Sequence, residues 1–172
     1  PDSVAPKIPV LPETLSYAGM GQYSGTEQDI YVGLDKETVR KCGFRKENSP
    51  FTILGEAAKG KTNALKMILA QIIGTGRIYL ADSKTMELYA YKNAEDVTYI
   101  ENAAAVTSFM EEMKEEIAAR NQKVREALAD SPALKPRDIC AQMPPFYLVV
   151  DDWDNFVELT KSQALQLASL LN

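Results

Sequence analysis

Histidine is absent from the 172 residues, and the chain has only two cysteines and one tryptophan. Without an imidazole there is no Ser-His-Asp or Cys-His nucleophile, and a zinc site loses its commonest nitrogen ligand. Cys42 and Cys140 stand far apart with no Cys-x-x-Cys spacing, which reads as two reduced thiols and not as a disulfide framework. Long apolar runs are missing as well: the longest uninterrupted one is Phe146 to Val150, far short of a bilayer span. The opening stretch has prolines at 1, 6, 9 and 12 and no apolar h-region, so no signal peptide is expected. Excess basic charge is lacking too. The net charge of −5 argues against a broad nucleic-acid footprint, and no nucleic-acid partner is expected.

What is present is globular in composition, with 45% hydrophobic and 25% charged residues. A chain of this length buries roughly two thirds of its unfolded surface as one domain. The proline-studded start reads as an N-terminal linker over residues 1–28, with a short helical turn in "LPETLSYAG". Asp29 to Lys46 alternates like two strands of a hairpin. Ser49 to Gly55 reads as a buried strand and Lys61 to Ile73 as a helix apolar on most faces. Gly76 to Asp82 is a second buried strand, and Val97 to Ile100 a short one. Ala103 to Ala129 spaces Val106, Phe109, Met110, Met113, Ile117, Val124 and Leu128 as an amphipathic helix with a solvated charged face. The prolines at 132, 136, 144 and 145 make 130–145 a loop, "PFYLVV" is a third buried strand, and Thr160 to Leu171 a closing helix. Strands alternating with helices give an α/β fold with a mainly parallel sheet flanked by helices, preceded by a small hairpin extension.

Within "FTILGEAAKGKTNALKMIL" stands G-x-x-x-x-G-K-[ST], as Gly55, Gly60, Lys61 and Thr62. The motif sits between an expected strand and an expected helix, where backbone N–H groups and the helix dipole converge on an anion. Gly55, Glu56, Ala57, Ala58, Lys59, Gly60, Lys61, Thr62 and Asn63 are the candidate ATP-binding residues. Lys61 would reach the β- and γ-phosphates, and the Thr62 hydroxyl would ligate Mg²⁺. Glu56, Ala57, Ala58 and Lys59 depart from the small, flexible loops usual here, and two of them point to weaker binding. Ala58 stands where glycine would more easily take positive φ, and Glu56 puts a carboxylate near an anion site.

"FYLVVDD" ends a buried strand in two acids. Asp151 is the candidate Mg²⁺ partner beside Thr62, and Asp152 takes the position of the water-polarising carboxylate. Aspartate is one methylene shorter than the glutamate that motor ATPases use, which predicts slow or absent hydrolysis. Simple capping of the strand end is the alternative for this pair. For Asp82, loop capping and an approach to the site stay equally open. Trp153 reads as packing, with a partner surface as the sharper alternative.

Taken together, "GEAAKGKTNALKMIL", "RIYLADSKTMELYAY", "EEIAARNQKV" and "PPFYLVVDDWDNF" resemble the FtsK/SpoIIIE family of RecA-like hexameric P-loop motors. That family has an Asp-x-Lys and a Glu-Leu pair after its second strand, here similar to Asp82, Lys84, Glu87 and Leu88, and an arginine before its Walker B strand, here similar to Arg120. Asp29 to Phe44 resembles the stretch before the ATPase core of type VII secretion ATPases, and the likeness is strongest to a C-terminal ATPase domain of the EssC/EccC type.

The resemblance implies a RecA-like domain over 29–172, without the family's last strands and sensor region. It implies ATP and Mg²⁺ as ligands, and a place on the cytoplasmic face of the membrane in a membrane-anchored chain. The partners it implies are neighbouring ATPase domains, a homo-hexamer, and small helical WXG-type secreted proteins docking through their C-terminal tails. Distal domains of that family are often catalytically degenerate, which Glu56–Lys59 and Asp152 match. A DNA translocase and a nucleotide-independent docking module are the competing functions.

Overall fold

The computed structural model describes residues 10–25, 29–46, 49–161 and 163. The chain forms two compact units, Pro1–Gln71 and Ile72–Asn172, each taken by itself below.

In the first unit the helical turn expected in residues 11–19 falls later in the chain: a 3-10 turn covers Ala18–Gln22, sharing only Ala18 and Gly19 with that stretch, and buries Met20. The hairpin follows as antiparallel β1 (Ile30–Leu34) and β2 (Lys41–Phe44), with a register shift between Tyr31 and Gly33. Asp35 starts its turn. One carboxylate oxygen accepts from the Glu37 and Thr38 amides at 3.2 and 2.8 Å and from the Thr38 hydroxyl at 2.7 Å. Those hydrogen bonds, led by the Thr38 hydroxyl, lower the Asp35 pKa below its ordinary 3.8. Helix α1 (Lys61–Ile72) is tied to the hairpin by Gln71, whose side chain accepts from the Tyr31 amide at 2.9 Å and donates to the Tyr31 carbonyl at 2.7 Å.

The strand expected over Ser49–Gly55 does not form. No ladder partner for it exists among the described residues, and a strand needs a neighbour to satisfy its backbone. Instead the Phe51 ring stacks on Phe44 with centroids 3.9 Å apart, and Leu54 is 88% exposed. Helix α1 is also less enclosed than its composition suggests, because only Ile68, Leu69 and Ile72 are buried along it.

The second unit holds a three-stranded parallel sheet in the order β4 (Val97–Ile100), β3 (Arg77–Ala81), β5 (Phe146–Val150). Central β3 is buried over Ile78–Ala81, as a strand covered on both faces must be. Gly76 lets the chain enter β3 flush against the Pro145 carbonyl, where any Cβ would collide with backbone. Helix α2 (Ala103–Asp130) is capped by Asn102, whose side chain accepts from the Ala105 amide at 3.0 Å. Its Val106, Phe109, Met110 and Met113 join Tyr79, Ala81, Ile100 and Phe156 in the core.

Three expectations change here. Val124 and Leu128 are half-buried, not core, so only the first half of α2 carries the sheet. Glu112 and Glu116 are not simply solvated: Glu112 accepts from the Tyr79 hydroxyl at 2.8 Å and faces Arg77 at 3.6 Å, while Glu116 holds Arg120 at 2.7 Å. And 130–145 is not all loop, because Pro136 sits in the first turn of a short helix, α3 (Pro136–Ala141), with Asp138 beside it. Proline fixes helical φ where no intrahelical N–H is needed, so it starts this helix instead of breaking one. A fourth helix, α4 (Trp153–Leu159), begins straight after the strand-end acids. Most of the closing helix expected over Thr160 to Leu171 lies outside the described residues.

Candidate functional site

The phosphate-loop motif lies in the first unit. Gly55 to Gly60 are exposed, and Lys61 and Thr62, at the start of α1, are half-buried. Ala58 has φ 58° and Gly60 φ 87°. The position singled out in the sequence as wanting glycine thus takes the left-handed conformation with an alanine, at a cost of roughly 1 kcal/mol. The Lys61 ammonium turns back across the loop and donates to the Gly55 and Glu56 carbonyls at 2.9 and 2.8 Å. Around Gly55 and Gly60 a Cβ would meet nothing within 4 Å, so both sides of the loop backbone are open to an incoming group. A fixed cation, an open glycine-flanked backbone and a helix N-terminus suit an anionic ligand. Asn63 is exposed on the first turn of α1.

The aspartates lie in the second unit, at the carboxyl ends of its strands. Asp151 and Asp152 are half-buried. The Asp151 amide donates to the Ala81 carbonyl at 3.0 Å, extending the β3–β5 ladder by one step beyond Val150. Asp152 is the N-cap of α4, and its Oδ1 accepts from the Asn155 amide at 3.0 Å. That is the capping alternative left open in the sequence, and it occupies one oxygen of the carboxylate expected to polarise water. An aspartate just before the first residue of a helix is the signal that marks this cap.

Asp82 resolves toward capping. It is 7% exposed, and its Oδ1 accepts from the Ser83 amide at 2.8 Å. Its Oδ2 accepts from the Leu88 amide at 2.9 Å and from the Tyr99 hydroxyl at 2.7 Å. Burial, and then the bond to Asp82, push the Tyr99 phenol well above its ordinary value. Tyr99 and Asn155 are the partners that reading the sequence missed. Met86, between the two anchored amides, has φ 56° and is 49% exposed.

Arg120 is a structural clamp in this unit. It pairs with Glu116, donates to the Pro144 carbonyl and lies 5.0 Å over the Phe146 ring, fixing α2 to the start of β5. Lys84 approaches Glu158 at 3.9 Å between exposed side chains, a contact worth little. Trp153 is 55% exposed, tilted against Phe156 at 5.9 Å, so packing accounts for only part of its surface. Among the described residues no cluster of three His, Cys, Asp or Glu side chains forms a metal site, and no helix is long and apolar enough to cross a membrane. Cys42 and Cys140 are both free thiols.

These features define an α/β protein with a parallel three-stranded sheet and a phosphate-loop sequence at the start of a helix. No model of a known protein family matches the chain. It is 31% identical over 153 residues to the ESX secretion system protein EccC of Geobacillus thermodenitrificans, a stretch covering 84% of this chain and 10% of that protein. To the ESX secretion system protein YukB of Bacillus subtilis it is 31% identical over 132 residues, covering 73% of this chain and 9% of that one.

Among solved structures it resembles the cytoplasmic domain of EssC, with TM-score 0.78 and 26% identity over 95% of this chain and 33% of the other. It also resembles EssC (ATPases 2 and 3) from Geobacillus thermodenitrificans, with TM-score 0.63, 24% identity, and 95% and 37% covered, a likeness of fold alone. The chain is a domain of the EssC/EccC type. It spans about a tenth of the length of the curated relatives it matches.

Proposed function

We propose that this chain is a RecA-like P-loop ATPase domain of a type VII secretion protein, binding ATP with Mg²⁺ and hydrolysing it weakly or not at all. The observation that carries the reading is the loop itself: Lys61 braced on the Gly55 and Glu56 carbonyls, with left-handed Ala58 and Gly60 on either side of Lys59. In this reading the backbone of Gly55–Lys61 and the first turn of α1, with Thr62 and Asn63, hold the phosphates. Thr62 and Asp151 are the Mg²⁺ partners. The cation's role when bound is to offset phosphate charge. Low turnover is supported by Asp152, whose Oδ1 is committed to the α4 cap and whose side chain is a methylene short.

In the same reading residues 1–28 are a linker and 29–172 the ATPase domain, part of a membrane-anchored chain facing the cytoplasm. It works beside neighbouring ATPase domains, in a homo-hexamer, in the export of small helical WXG-type proteins that dock through their C-terminal tails. DNA translocation is disfavoured by the net charge of −5. A nucleotide-independent docking role has one observation behind it, the Trp153 and Val157 side chains exposed together at i, i+4 spacing on α4.

Titration calorimetry with Mg-ATP tests the reading on the full-length protein, compared with Lys61→Ala. Binding at this domain's site weakened roughly a hundredfold in Lys61→Ala is expected. No binding by the wild-type domain at millimolar nucleotide would overturn it. Turnover in Asp152→Glu tests the second half. A rise identifies the short carboxylate as the cause of low hydrolysis, and an unchanged rate removes that explanation. Capture of a substrate tail unaffected by nucleotide or by Lys61→Ala would favour the docking module.

A further inference from the structure

The Asp82 side chain accepts three hydrogen bonds, and the proposed function leaves it unused. We infer that Asp82 is a positioning residue for Asp151: its carboxylate locks the end of β3, and the end of β3 holds the Asp151–Asp152 turn. This inference rests on the reading of Asp151 as a Mg²⁺ partner.

The geometry runs through two consecutive carbonyls. The Ala81 carbonyl accepts from the Asp151 amide at 3.0 Å, and the Asp82 carbonyl accepts from the Asn155 side-chain amide at 3.4 Å. The Asn155 backbone amide in turn donates to Asp152 Oδ1 at 3.0 Å. The turn carrying both acids is therefore held on each side by the last two peptide groups of the β3 end. Among the described residues, β3 pairs with β4 and β5 as far as Ala81.

Past that point the chain is fixed by the Asp82 side chain. Its two oxygens gather the amides of Ser83 and Leu88 and the Tyr99 hydroxyl, which comes from β4. Leu88 is fully buried, so this anchor cannot drift. All three partners are donors, so the acceptor must be a carboxylate. An amide in its place would set its own N–H groups against at least one of them. A residue serving only to close the loop 83–88 would need the two backbone amides. The link to β4 through Tyr99 and the carbonyl contact to Asn155 join it to both neighbours of the site.

The experiment uses the full-length protein with Asp82→Asn and, as the milder variant certain to retain the two amide bonds, Tyr99→Phe. Two readouts are taken: ATP binding with and without Mg²⁺, and hydrogen exchange of the Asp151 amide without nucleotide. Loss of one charge-assisted bond in Tyr99→Phe should speed Asp151 exchange roughly tenfold and weaken Mg-ATP binding by a similar factor, while Mg²⁺-free ATP binding stays unchanged. Asp82→Asn should do the same more strongly.

Asp151 exchange unchanged in both variants overturns the inference, whatever nucleotide binding does. So does an equal fall in ATP binding with and without Mg²⁺, which marks a general loss of structure. If wild type binds no Mg-ATP, the nucleotide reading fails by itself. The positioning of Asp151 is then still supported by faster exchange in Tyr99→Phe, and overturned by its absence.

Discussion

From Gly55 to Gly60 every residue is exposed, two backbone positions are left-handed, and a single lysine bridges two carbonyls. At the end of β3, by contrast, Asp82 is 7% exposed and takes three donors, and the neighbouring strand end is bonded to it at consecutive carbonyls. The first region uses backbone shape and leaves its polar groups open to a ligand. The second uses buried side chains and consumes its polar groups internally. An anion site must be open, because its donors are wanted by the ligand. A divalent-cation partner must be held still, because its value depends on where one carboxylate sits.

Substitutions separate the two regions, and the largest effect falls in the second. Phe109 is 1% exposed and lies 4.8 Å from the Tyr79 ring, so Phe109→Ala should remove about 4 kcal/mol of stability, read by chemical denaturation. A loss under about 1 kcal/mol would mean that the core over β3 is not as closed as described. In the first region Lys61→Ala should weaken Mg-ATP binding roughly a hundredfold with the thermal midpoint nearly unchanged, since the lysine's bonds are to exposed loop carbonyls. A large thermal shift instead would make the loop a structural element and blur the contrast.

Smaller effects sharpen it. Asp152→Ala removes the α4 cap and should cost about 1 kcal/mol, measurable as faster exchange of the α4 amides. Ala58→Gly relieves the left-handed alanine but frees the unfolded chain, so stability should change by under about 0.5 kcal/mol while Mg-ATP binding tightens about threefold. Unchanged affinity would show that Ala58 does not attenuate the loop. The smallest effect is electrostatic. The folded Asp35 pKa is lowered, so the hairpin turn's contribution is complete above the ordinary 3.8 and lost as pH falls through the depressed value. An NMR titration of Asp35 giving an ordinary midpoint would remove that contribution.

Local sequence patterns match the structure wherever one stretch of chain decides its own conformation. The hairpin of β1 and β2, the helices α1 and α2, and the buried strand β3 all appear where periodicity puts them. So does the positive φ at Ala58, because the loop spacing demands it and no distant contact is involved. Ser49–Gly55 fails for the opposite reason. Its apolar run is compatible with a strand, but only a partner makes one, and Phe51 stacks on Phe44 instead. The helix at Pro136 is not visible in the spacing of prolines over 130–145, because a proline ends one helix and begins another with the same residue, and only its place in a first turn decides which.

By itself, then, the chain's order of residues determined the α/β character, the lack of any imidazole, and the phosphate-loop motif with Glu56, Ala57, Ala58 and Lys59 at its centre. The roles of the aspartates were decided only by tertiary structure. In the sequence Asp82 and Asp151 each end an apolar run, and Asp152 follows directly. Folding gives the first a phenol from β4 and two loop amides, gives the last the start of α4, and bonds the amide of the middle one to the β3 end. The physical reason is that a carboxylate's function depends on which donors surround it, and those donors come from strands and helices far away in the chain.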